Sequence, residues 1–178
     1  MAKKPDISIQ ALRSKMGTYN EESLIRAIQK GNKVSRIKEI IQKHPEFLAS
    51  AKDEEGNNVL AIAIKHAQNT ETLQALLDGF NEPQAIKKAL MQPNNAGKMV
   101  LMHYIKSSQA ELAAGFDGHL KPNLSDMLKV ISKKTNFTME DWIDIFKVKK
   151  DYSDNMLHTW AIEGDAQSIG VVLKLLAS

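Results

Sequence analysis

Cysteine is absent from the 178-residue chain. That excludes disulfides, a thiolate zinc site and a cysteine nucleophile, and it fits a reducing compartment. Long apolar runs are missing too. The longest uncharged one is VLAIAI at 59–64, far short of the ~20 residues that span a bilayer. The start, MAKKPDISIQ, has basic residues with no apolar stretch behind them, so no secretory signal peptide is expected. Arginine occurs only at Arg13, Arg26 and Arg36, and aromatic residues make up 6%. Nucleic-acid recognition wants more arginine, interleaved aromatics and a larger basic face, so nucleic acid is not the expected partner. No Val/Ile/Thr run alternates over five or more residues, so strands are not expected. No G-x-S-x-G, Walker P-loop or G-x-G-x-x-G occurs.

What is present is an ordinary globular composition, 43% apolar and 25% charged. The length predicts one domain, large enough to bury about 70% of its unfolded surface. The net charge of +3 is small, but its sign alternates along the chain. Segments 1–50 and 91–150 are basic, while 51–90 and 151–178 are acidic.

Helix starts are well marked. Asp6 can cap ISIQALRSKM. Asn20 precedes EESLIRAIQK, whose first-turn acids suit the helix dipole. Asn81-Glu82-Pro83 opens a helix through Met91. Ser108/Glu111 and Thr138/Asp141 have capping-box spacing. Asn123 or Ser125 opens DMLKVISKK, and Asp165 opens AQSIGVVLKLL. Between the helices lie three similar turn segments, KDEEGNN (52–58), QPNNAGK (92–98) and KDYSDN (150–155). Each is rich in Asp, Asn or Gly, which favour turns. Each is followed by an apolar helix start: VLAIAIKHA, MVLMHYIKS or MLHTWAIEG. That is an internal repeat.

At these residues the chain resembles the ankyrin repeat, a turn followed by Thr-Pro-Leu-His-x-Ala-Ala, Gly-His and an Ile-Val-x-Leu-Leu helix. Leu157, His158, Ala161 and Gly164 fall on family positions in the fourth unit. The second unit reads Gly56, Leu60 and Ala63, then Leu73, Leu76 and Leu77. The first enters at Leu24, Ala27 and Gly31, and the third at Gly97 and Leu101. The Leu24–Leu60–Leu101–Leu157 spacings are 36, 41 and 56 residues, against about 33 for the family. Extra helices at 82–91 and roughly 125–148 would fill the excess. No unit keeps the Thr-Pro-Leu-His motif whole, and residues 1–19 lie outside the resemblance.

The resemblance implies an all-α, ankyrin-like helical repeat solenoid of about four units in a single domain over 1–178. Residues 1–50 would hold the N-terminal cap helix and first repeat, and 51–91 the second repeat with an extra helix. Residues 92–150 would be a third repeat with a helical insertion, and 151–178 the C-terminal repeat. Such units share one long core because none buries its apolar face alone.

The resemblance also implies a non-enzymatic protein-binding module, an adaptor, scaffold or inhibitor, with partner contacts at turn tips and inner helices. The tips would present Asp53, Glu54, Glu55 and Asn57, then Asn94, Asn95 and Lys98, then Tyr152, Ser153 and Asn155. The inner helices would present Lys30, Lys65 with His66, Lys106 and Glu163. Lys30, Lys65 and Lys106 would line one groove and select an acidic protein partner. The Lys, Asn and Gln richness resembles ankyrin-type effectors of intracellular bacteria. That implies a cytoplasmic protein, or one delivered to a host cell without a signal peptide and acting on a host protein. A monomer is expected, with no membrane contact, cofactor, metal or catalytic residue assigned. No two of the five histidines have helical metal-site spacing with a third ligand nearby. Two alternatives stand: a small helical enzyme with its site in the groove, or a fragment of a longer array.

Met91, Met99, Met102 and Met127 read as core filler, with an adaptable contact surface as the alternative. The helix around Trp142, Ile145 and Phe146 has apolar residues on more than one side, so it is expected to pack between two neighbours, with a partner-docking helix as the alternative.

Overall fold

The computed structural model describes residues 19–66, 69–103, 124–147 and 166–177. Among the described residues the chain is all-α. They contain no strand, only an isolated antiparallel bridge between Lys52 and Asn58. The helices are α1 (Glu21–Gln29), α2 (Val34–Lys43), the single turn α3 (Phe47–Ser50), α4 (Val59–His66) and α5 (Thr70–Gly79). They continue with α6 (Pro83–Leu90), α7 (Leu124–Thr135), α8 (Met139–Lys147) and α9 (Ala166–Leu176).

Their starts follow from local chemistry. The Asn20 side chain accepts from the Ser23 amide at 2.9 Å, and Ser23 Oγ accepts from the Asn20 amide. Two orphan donors of the first turn are thereby satisfied. Pro83 stands in the first turn of α6, where its missing N–H costs nothing. The Asp141 amide donates to Thr138 Oγ1 and the Thr138 amide to the Asp141 carboxylate. The caps expected at Asp6, Ser108 and Asp165 lie outside the described residues, as does Asn123.

Packing is helix against helix. α1 lies on α2 and α4, α2 on α5, α4 on α5, and α5 on α7. α6 touches α4, α7 and α8, and α9 closes on α7 and α8. The centre is α4, whose residues Val59–Ile64 are all buried. A helix apolar on every side belongs in a core, so VLAIAI is the middle of the protein. Met99 and Met127 are buried in the same core, while Met91 and Met102 pack against it half-buried. Trp142, Ile145 and Phe146 are buried, and α8 meets both α6 and α9, as its apolar pattern requires. Lys87 of α6 fastens α8 by ion pairs to Asp141 (2.8 Å) and Asp144 (2.7 Å). Lys134 of α7 pairs with Asp78 of α5 at 2.9 Å. No described helix is long and apolar enough to cross a membrane.

Candidate functional site

The first two turn segments fold alike. In 53–57 the Asp53 amide donates to the Asn57 carbonyl (3.1 Å) and the Gly56 amide to the Asp53 carbonyl (2.9 Å). The Asp53 carboxylate accepts from the Asn57 amide at 2.8 Å. In 94–98 the same three bonds recur. The Asn94 amide donates to the Lys98 carbonyl (3.0 Å), and the Gly97 amide to the Asn94 carbonyl (2.8 Å). Asn94 Oδ1 accepts from the Lys98 amide (2.8 Å). Gly56 and Gly97 both have positive φ, +78° and +70°. The offset between the turns equals that between Leu60 and Leu101.

The two turns also stack. The Asn95 amide donates to the Glu55 carbonyl at 3.0 Å. Asn95 Nδ2 reaches the Glu54 carbonyl at 3.3 Å, and Asn94 Nδ2 reaches Asn57 Oδ1 at 2.8 Å. The approach is tight at Gly56, where a Cβ would collide with the Asn95 side chain. Glycine there serves both the left-handed backbone and the close contact.

Beside the first turn opens a groove of about 700 Å³. One wall is α1, through Glu21, Glu22, Ile25, Arg26 and Gln29. The other is Lys52, Asp53, Glu54 and Glu55 with the end of α4, Lys65 and His66. Five acids face three cations, and two of those cations are engaged locally. Arg26 pairs with Glu22 one helical turn away. Lys65 Nζ grips both Glu55 oxygens at 2.8 and 3.0 Å. That hydrogen bond is the main reason the Glu55 carboxyl titrates below its usual range, with a second from Asn57.

The residues expected to meet a partner divide accordingly. Asp53, Glu54, Glu55, Lys65 and His66 line the groove together. Asn57 does not present itself: it is 1% exposed. Its amide group is consumed by Asp53, Glu55 and Asn94, so it is a joint between turns rather than a contact. Asn95 is exposed but spends its donors on the first turn, and Lys98 is half-buried. Lys30 is the exposed C-cap of α1 and does not line the groove. Lys65 carries its charge into a bidentate pair, so it is not the free cation expected of it. Lys106, Tyr152, Ser153, Asn155 and Glu163 lie outside the described residues.

Sequence reasoning overlooked Glu21, Glu22, Arg26 and Lys52 as groove residues. The first two were legible only as dipole-favoured first-turn acids. It also overlooked His103. That residue is 6% exposed, and its Nε2 has no hydrogen-bond partner among the described residues. Burial first, then the charges of Lys98 and Lys65, push its pKa down, while Glu55 and Asp53 pull the other way.

No known family, curated protein or solved structure matches this chain.

Proposed function

We propose that this chain is a non-enzymatic interaction module, an ankyrin-like helical repeat array that binds a protein partner in the groove beside its stacked turns. The observation that carries the reading is the recurrence of one turn geometry in register, with an open groove on its flank. The pairwise packing of α1 on α4 and of α2 on α5 supports a repeated two-helix unit. The acid excess of the groove favours a basic partner segment, the opposite sign from the one the lysine spacing suggests. Groups poised for proton transfer near neutrality would support an enzyme. Glu55, in the groove, is instead driven further into its charged form by its hydrogen bond from Lys65. The compositional likeness to bacterial effectors makes a host protein the first partner to seek.

The test is affinity capture with mass spectrometry, comparing wild type with Glu21→Lys/Glu54→Lys. Both side chains are exposed, so circular dichroism of the variant is expected to match wild type. A partner retained by wild type and lost by the variant supports the module. A partner retained equally by both moves the contact away from the groove. Failure to capture any partner counts against the module itself.

A further inference from the structure

We propose that His103 is a proton-operated latch on the turn stack, whose protonation parts the 94–98 turn from the 53–57 turn. The inference is independent of what the groove binds. His103 follows Met99, Val100 and Leu101, all buried, directly after the second turn. The residue is buried, and Nε2 has no partner among the described residues. Such a nitrogen is tolerated while neutral, but as an N–H⁺ it needs an acceptor.

The charged groups that face the ring among the described residues come from three elements: Lys98 of the second turn, Lys65 of α4, and Glu55 and Asp53 of the first turn. The two lysines repel a charged imidazole. The two carboxylates attract it, but both are occupied. Glu55 holds Lys65 and Asn57, and Asp53 holds the Asn57 amide and side chain. Neither can turn to the ring without dismantling its own turn. A proton on Nε2 is therefore relieved by moving the ring toward water. That motion carries the preceding segment, 94–102, with it. What resists is a short set of bonds between the turns: Asn95 amide to Glu55 carbonyl, Asn95 Nδ2 to Glu54 carbonyl, and Asn94 Nδ2 to Asn57 Oδ1. Two of the three leave from Asn95, whose side chain is exposed. Histidine is the side chain whose charge changes in the mildly acidic range.

The experiment is amide hydrogen exchange on the full chain at about pH 7.5 and about pH 5.5, with rates corrected for intrinsic pH dependence. The reporter is the Asn95 amide, and the Ile62 amide inside α4 is the reference. The expected result is loss of Asn95 protection at the lower pH with Ile62 unchanged, and no such loss in His103→Leu. Equal protection of Asn95 at both pH values overturns the latch. So does the same loss in His103→Leu. Should that variant fail to fold, the wild-type ring decides by its own NMR titration. A midpoint below that of an unfolded-chain histidine, accompanied by shifts of the Asn95 and Lys98 amides, supports the latch. A midpoint at or above it, or a titration without those shifts, overturns it.

Discussion

The Asn58 side chain holds four partners at once, the weakest being Gln92 Oε1 at 3.5 Å, and the residue is 4% exposed. Its Oδ1 accepts from the Leu60 and Ala61 amides at 3.1 and 3.0 Å, which caps α4. Its Nδ2 donates to the Ala89 carbonyl at 2.7 Å, at the end of α6. One side chain thus starts the central helix and satisfies the last turn of another. Asn58→Ala removes a cap and strands a carbonyl, so a loss of about 2–3 kcal/mol is expected. Asn58→Ser keeps the capping oxygen and gives up the Nδ2 bonds to Ala89 and, more weakly, Gln92, so its loss is expected to be about half as large. Urea unfolding of the two variants against wild type measures both. A serine variant as unstable as the alanine variant would show that capping contributes little here.

At the scale of elements, helix spacing is set where side chains are missing. A Cβ on Gly79, at the end of α5, would stand 2.5 Å from Ile41 Cγ2 of α2 and 2.8 Å from Leu48 Cδ1 of α3. The glycine backbone is what lets α5 close on both. Gly79→Ala is expected to cost about 1–3 kcal/mol through overpacking, read as a lower urea midpoint with unchanged helical circular dichroism. A neutral or stabilising alanine would mean that α2 and α3 shift without penalty. The elements themselves were largely legible in the sequence. Asn20, Pro83 and Thr138 mark helix starts by chemistry confined to one turn of chain, and the structure uses each of them. The turn segments 52–58 and 92–98 were legible for the same reason. What was not legible is how turns meet. The burial of Asn57 depends on Asn94, far along the chain. The neutralisation of Lys65 depends on Glu55, ten residues away across a turn and a helix. Neither pairing leaves a periodicity in the sequence, so a free Lys65 and an exposed Asn57 are expectations that the tertiary contacts reverse.

Over the whole molecule, charge and burial set how stability follows pH. Hydrogen bonds, mostly from lysines, hold Glu39, Glu55, Asp78 and Asp141 below their ordinary pKa values, and a backbone amide does so for Glu46. A lowered carboxylate contributes stability above its unfolded pKa, about 4, and that stability is lost as pH falls through the folded value. Lys43 and Lys87 are raised, chiefly by hydrogen bonds to Glu39 and Asp141. Their contribution persists below about pH 10.4 and fades above it. His103 is lowered, so the unfolded chain binds its proton first. Stability from that ring is present above about pH 6.5 and falls as pH drops through the folded value. The expected profile of urea midpoints is flat from about pH 7.5 to about pH 9.5, with a first decline beginning near pH 6.5 and a second near pH 4. The carboxylates are too exposed, and too low in pKa, to act in the first step. His103→Leu is therefore expected to remove the first decline and leave the second. A first decline that survives in His103→Leu would assign it to another group. A wild-type profile flat down to about pH 5 would mean that the buried ring accepts its proton without cost to the fold.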